Sequence, residues 1–204
     1  MPLPTDLPPL DLTQGKMRYR LQHLQGRNEL IVRAVGWKKG LVLRIIDATA
    51  GLGREALLLG ALGNDMTLFE RHPTVHAMLK TALRHAAEDP VFAPIVARLH
   101  LETGCAIEYL KGLKADPSLV YPEVIYCDPM FPERKKSALV KKEMQILQSL
   151  VAPDHDADQL VALSCQIATK RVVVKRALSA PPLMAKPHIV LTARSHRFDI
   201  YLRP

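Results

Sequence analysis

The chain has 204 residues, 48% hydrophobic and 24% charged, a globular rather than a disordered profile that suits one domain with a sizeable core. Lys and Arg number 28 against 20 Asp and Glu, a formal net charge of +8 that tilts the chain toward a polyanionic partner. The three cysteines, Cys105, Cys127 and Cys165, are odd in number and lack C-x-x-C spacing, against a disulfide framework or a zinc knuckle.

Met1 to Leu12 carries four prolines and no Lys or Arg, which is a loose lead rather than a signal peptide. No apolar run reaches membrane-spanning length, so a soluble cytoplasmic protein is expected. Gln25 to Val35 is predicted as a short helix, since Leu30, Ile31, Ala34 and Val35 fall near one face. Leu41 to Ile46 is an apolar run interrupted by Arg44, as in a strand covered on both faces. It ends at Asp47, and from Arg54 to Leu62 the pattern turns helical. The alternation repeats: strand Met66 to Phe69, helix Pro73 to Ala87, strand Arg98 to Leu101, helix Ala106 to Leu113, strand Glu123 to Cys127. Helices follow at about Ala138 to Leu150 and Asp156 to Ala168, then a strand Arg171 to Lys175. The end reads as two strands, His188 to Thr192 and Arg197 to Leu202, around a tight turn at Arg194-Ser195. Such units imply an α/β fold of Rossmann type, a mostly parallel sheet with helices on both faces and a terminal antiparallel hairpin.

The loop Asp47-Ala-Thr-Ala-Gly-Leu-Gly-Arg-Glu55 joins the first strand to its helix. Gly51 and Gly53 let the backbone approach a ligand closely, and the helix N-terminus offers free N–H groups. Asp47 would suit the ammonium group of S-adenosylmethionine (SAM). Glu70 ends the second strand one helix and one strand after Gly53, near the spacing of an acid that accepts ribose hydroxyls. The same loop fits the G-x-G-x-x-A form of the NAD fingerprint, so a NAD-binding oxidoreductase remains an alternative. Two features favour SAM: an acid ahead of the loop would repel a pyrophosphate, and no room is left for a separate substrate domain.

Tyr126-Cys127-Asp128-Pro129-Met130-Phe131 follows the fourth strand, where ligands of such sheets bind. An exocyclic base amine is a poor nucleophile, because its lone pair is delocalised into the ring. Asp128 can accept one amine N–H, a backbone carbonyl of the rigid Asp128-Pro129 turn the other, and Phe131 can stack on an extruded base.

In this order the motifs resemble the class I SAM-dependent methyltransferases that modify exocyclic amines. More narrowly, Asp128-Pro-Met-Phe-Pro, Lys135-Lys-Ser-Ala-Leu-Val-Lys-Lys-Glu-Met144, Lys170-Arg-Val-Val-Val-Lys-Arg176 and His196-Arg-Phe-Asp-Ile-Tyr201 resemble the ribosomal RNA small subunit methyltransferase J family over roughly Leu10 to Leu202. The resemblance implies methyl transfer from SAM to N2 of a guanosine in 16S rRNA, with 16S rRNA or the small ribosomal subunit as partner. Adenine N6, or a base in DNA, is the alternative target. The chain is read as a lead and helix over 1–40 and a methyltransferase domain over 41–204. The resemblance implies that Arg54 and Glu55 lie at the cofactor, Glu70 and Arg71 on its ribose and adenine side, and Cys105 and Ala106 along the adenine. Asp128 would border both cofactor and target amine. Three residues depart from the broad superfamily: Thr49 stands where many members have a first glycine, Cys105 where many have Asp, and Met130 where the second proline is usual. Beside the narrower family the chain is short at its start, as if part of an N-terminal segment were missing.

Basic residues cluster around this chemistry. Arg134, Lys135, Lys136, Lys141 and Lys142 follow the Asp-Pro loop, Lys170, Arg171, Lys175 and Arg176 bracket the fifth strand, and Arg194, His196 and Arg197 sit at the final turn. Of these, Arg134, Lys135, Lys136, Lys141, Lys142, Lys175, Arg176 and Arg197 are the expected RNA-phosphate contacts. His72, His76, His85 and His100 lack metal-ligand spacing and no metal is expected. Trp37 and Tyr109 are expected to be packing residues.

Overall fold

The computed structural model describes residues 10–24, 29–116, 118–129 and 155–203. The chain order is α1 (Gly15–Gln22), α2 (Leu30–Ala34), β1 (Arg44–Asp47), α3 (Arg54–Ala61), β2 (Asp65–Phe69), α4 (Pro73–Ala86), α5 (Ala93–Val96) and β3 (Leu99–Glu102). It continues with α6 (Ala106–Ala115), β4 (Val124–Cys127), α7 (Ala157–Ile167), β5 (Arg171–Ala177), β6 (Ile189–Thr192) and β7 (His196–Leu202). The seven strands form one sheet in the order β3-β2-β1-β4-β5-β7-β6. β1 to β5 run parallel, and β7 runs antiparallel to both β5 and β6.

Successive strand residues feed opposite faces of the sheet, as a pleat requires. Ile45, Val124, Tyr126, Val173 and Ile200 pack with α1 to α4 in one core. Ile46, Ile125, Cys127, Val172, Val174 and Tyr201 pack with α6 and α7 in the other. Burial on both sides explains why these strands read as continuous apolar runs rather than as alternations. Leu12, Met17, Ile31 and Val32, all from the first 40 residues, belong to the first of these cores.

Each predicted strand and helix that falls within the described residues is present, with shifts at the ends. The largest is at β1, expected from Leu41 but beginning at Arg44. The side chain of Asn64, fully buried, accepts the Leu43 N–H at 3.0 Å and donates to Leu59 O at 2.8 Å. A side chain thus replaces a ladder partner at Leu43. The helix expected over Gln25 to Val35 is α2, Leu30–Ala34, with residues 25–28 outside the described set. The helix expected over Ala138 to Leu150 also lies outside it. Two helices went unforeseen. α1 buries a single residue, Met17, so its periodicity is faint. Polar anchors hold it instead: Arg18 donates to Thr13 O at 2.7 Å and pairs with Asp89, and Arg20 reaches Glu29 and Glu55. α5 has four residues and buries none, too short for a periodic signal. Among the described residues no helix is long and apolar enough to cross a membrane.

Candidate functional site

Asp47, the last residue of β1, lies beside Tyr126 in the parallel register, which brings the glycine loop and the end of β4 side by side. The loop is stitched to both neighbours: Ala48 N–H donates to Tyr126 O at 2.9 Å and Ala50 N–H to Phe69 O at 2.8 Å. Gly51 and Gly53 take positive φ of 53° and 71°, a region that disfavours side chains. They differ in surroundings. A Cβ on Gly53 would meet Leu79 Cδ1 at 2.6 Å, so this glycine serves the packing of α3 against α4. A Cβ on Gly51 would meet nothing nearer than Thr49 O at 3.9 Å, so its open side faces space that a ligand can take.

Glu70 follows β2 and grips the loop. Its Oε2 accepts the Gly51 N–H at 3.0 Å and its Oε1 the His72 N–H at 2.7 Å. Arg71, next along, makes a two-pronged ion pair with Asp156 at 2.7 and 3.0 Å, tying the end of β2 to the start of α7. Arg54 and Glu55 open α3. The Glu55 carboxylate accepts from Arg20 at 3.2 and 3.4 Å, and Arg20 also takes Glu29 at 2.9 Å, which holds its guanidinium firmly charged. Cys105, half-buried, precedes α6, and Ala106 is its buried first residue.

Asp128 follows β4. Its backbone N–H donates to Thr49 Oγ1 at 2.6 Å, which gives a task to the residue that replaces the usual first glycine. Its Oδ2 accepts from Lys175 Nζ at 2.7 Å. Lys175 is the β5 residue just past Val174, which pairs with Cys127. Pro129 is buried beside it, and Phe131 lies outside the described residues. Because β7 is antiparallel, its beginning stands at this same edge, with His196 opposite Ala177 and Arg197 opposite Arg176.

Asp47, Glu55, Glu70 and Asp128 therefore crowd one edge of the sheet. Asp47 is 2% exposed. Burial pushes its carboxyl up to about 8, the Thr49 N–H at 3.2 Å opposes this, and the charges of Asp128, Glu55 and Glu70 add to the rise. Burial also raises Asp128, with the charge and hydrogen bond of Lys175 opposing it and the charge of Glu55 adding to it, and pushes the Tyr126 phenol well above its ordinary range. The Tyr126 hydroxyl is buried without a hydrogen-bond partner among the described residues. A cation such as the ammonium or sulfonium of SAM would be compensated by these carboxyls and would favour their ionised forms.

The basic residues divide. Arg134, Lys135, Lys136, Lys141 and Lys142 lie outside the described residues. Lys170 and Arg171 sit at the far end of β5, where Lys170 pairs with Glu123 at 2.7 Å and Arg171 donates to Ala34 O at 3.2 Å. Arg176 is buried and donates to Pro181 O. Arg197 is spent internally: it holds Asp199 at 2.7 and 3.0 Å and donates to the carbonyls of Ala177, Leu178 and Ala180. Trp37 packs against the first core, and the Tyr109 ring lies 4.8 Å from that of Phe69. A cleft lined by Arg44, Asp65, Thr67, His100, Tyr109 and Pro122 opens at the amino ends of the strands, away from these acids. Among the described residues no group of His, Cys, Asp and Glu has the makings of a metal site.

Sequence reasoning did not find the partners of these residues. The Thr49–Asp128 bond, the Lys175–Asp128 pair and the Arg20–Glu55 pair each join residues at least 35 positions apart, and no local signal announces them.

A SAM-dependent methyltransferase family model, SAM_MT, matches residues 7–203. Ribosomal RNA small subunit methyltransferase J of Dechloromonas aromatica is 45% identical over 193 residues, covering 94% of this chain and 77% of the relative. The enzyme of the same name from Aeromonas hydrophila is 47% identical over 195 residues, covering 95% and 77%. The chain belongs to the ribosomal RNA small subunit methyltransferase J family. It is a SAM-dependent methyltransferase, and the oxidoreductase alternative falls away. The crystal structure of a SAM-dependent methyltransferase from Neisseria gonorrhoeae superposes with a TM-score of 0.72 at 34% identity, covering 95% of this chain and 73% of that one. The rRNA methyltransferase AviRa of Streptomyces viridochromogenes, at 14% identity and a TM-score of 0.52 over 86% of this chain and 82% of its own, shares the fold. Asp47, Gly51 and Glu70 sit together where β1 and β2 end, and Arg54, Glu55, Arg71, Cys105 and Ala106 follow β1, β2 and β3 at the same edge.

Proposed function

We propose that the enzyme methylates N2 of a guanosine in small-subunit (16S) ribosomal RNA. The observation that carries this reading is the seating of Asp128: its backbone is hydrogen-bonded to the glycine loop through Thr49, so the acid offered to an amine stands beside the cofactor cradle. The names of the relatives and the net charge of +8 support an RNA substrate. Work on ribosomal RNA fits a cytoplasmic protein.

Bound SAM supplies a methyl group on a positively charged sulfur. The chain's own residues do the rest by positioning and electrostatics. Asp47, ionised when it pairs with the ammonium group, and Glu70, whose two oxygens already fix the loop, would orient the cofactor. The Asp128 carboxylate would accept one N–H of the guanine amine and a carbonyl of the Asp128-Pro129 turn the other, turning the nitrogen lone pair toward the methyl. Phe131 would stack on the extruded base. During methyl transfer one amine proton would leave to the Asp128 carboxylate or to water. The RNA-phosphate contacts would come from Arg134, Lys135, Lys136, Lys141 and Lys142. Lys175, Arg176 and Arg197, which already have partners, are better read as parts of the scaffold.

The test is tritiated-methyl transfer to undermodified small subunits, followed by identification of the nucleoside. N2-methylguanosine is expected from the native enzyme, and nothing above background from Asp128→Ala, which should keep its far-UV spectrum. A product methylated at adenine N6 would reject the proposed target, and an active Asp128→Ala would reject the proposed role of the carboxylate.

A further inference from the structure

Lys175 stands apart from the other basic residues. Its side chain is only 29% exposed, and its ammonium group lies 2.7 Å from Asp128 Oδ2 rather than in solvent. Among the described residues no side chain engages the other oxygen, Oδ1. The pair is set in a charged ring. The charge of Glu55 from α3 acts on both partners, that of Asp47 from β1 on Lys175, and His196 from β7 is within electrostatic reach of Asp128, Lys175 and Arg20 of α1. The Tyr126 phenol, on the same strand face as Asp128, completes the ring. In that company Lys175 is the cation hydrogen-bonded to Asp128.

An acid that must accept a hydrogen bond from an amine has to be ionised and correctly turned. A protonated carboxyl would offer a donor to a donor. Burial and the negative charge of Glu55 both favour that protonated form, and Lys175 opposes them. Its ammonium group also fixes the carboxylate rotation by holding one oxygen, which leaves the other for the substrate.

We infer that Lys175 is the positioning residue for Asp128, keeping Oδ1 free and the carboxylate in its acceptor state, and not a contact for RNA phosphate. This rests on the proposed role of Asp128.

The experiment compares Lys175→Met and Lys175→Arg with the native enzyme. Single-turnover methyl transfer is followed from pH 5.5 to 9 on undermodified subunits, and RNA affinity is measured by filter binding. Loss of the charge-assisted hydrogen bond that holds the amine's acceptor predicts a fall in the single-turnover rate of roughly 10- to 100-fold at pH 7 for the Met variant. The acid limb of its profile should move to higher pH, since Asp128 loses the charge that favours ionisation. RNA affinity should stay within about 2-fold, because no phosphate contact is removed. The Arg variant keeps the charge and should recover most of the rate and the native limb. His196 titrates beside the pair, so the profiles are repeated in a His196→Gln background, where the shift should persist. Should the Met variant fail to fold, Lys175→Gln, which keeps a donor without charge, carries the same expectation. A variant with weakened RNA binding but unchanged single-turnover rate and limb would overturn the inference and restore the phosphate contact. If Asp128→Ala is active, the reading of the site falls; if it is inactive while Lys175→Met keeps the native profile, this inference alone falls.

Discussion

Asp47 should weaken the empty protein and strengthen the loaded one. Its carboxyl, ordinarily at 3.8, stands at about 8 in the fold because burial disfavours the charged form. Between those two values the native state holds a proton that the unfolded chain has released. Stability from this group is thus complete below 3.8 and is lost as pH climbs to about 8, by about 1.4 kcal/mol for each pH unit. Asp47→Asn removes the titration and keeps an oxygen for the Thr49 N–H, now 3.2 Å from Oδ1. The variant without ligand should gain on the native enzyme by about 1.4 kcal/mol per unit from pH 5 to pH 7, or roughly 3–6 °C in Tm per unit for a chain of this size. Denaturant unfolding at pH 5, 6 and 7 measures the difference directly. With SAM the order should reverse, because the ammonium group compensates the native carboxylate and not the amide. Calorimetry at pH 7 should also find proton release when SAM binds the native enzyme and none in the variant. Parallel pH–stability curves for the two proteins would refute the argument, since Asp47 would then titrate alike folded and unfolded.

The two loop glycines should respond differently to Ala. Gly51→Ala should cost about 1–2 kcal/mol of stability from its positive φ alone, while Gly53→Ala should cost about 1–3 kcal/mol more because its Cβ would strike Leu79; urea titration separates them. Glu70→Ala should weaken SAM binding at least 10-fold, as both a ligand acid and the acceptor of the Gly51 and His72 N–H groups are lost. Unchanged affinity by calorimetry would exclude it from the site. Arg197→Ala should cost about 3–5 kcal/mol by stranding the buried Asp199, and RNA affinity per folded molecule should stay level; a stable variant with poor RNA binding would contradict the internal role.

The order of elements was legible in the chain. Strands covered on both faces leave apolar runs, and a strand–loop–helix junction built for a ligand leaves its glycines, so β1, the Gly51–Gly53 loop, Glu70 and Asp128 stand out one by one. These signals are local, set by backbone geometry within about ten residues. What only the tertiary structure decided is which charges meet. The basic side chains Lys170, Lys175, Arg176 and Arg197 look alike in sequence, yet their places on β5 and β7 give each a different partner. Asp128 finds Lys175 across 47 positions because parallel strands lie about 4.8 Å apart. Coulomb energy depends on distance and burial, which the fold supplies and the order of residues does not.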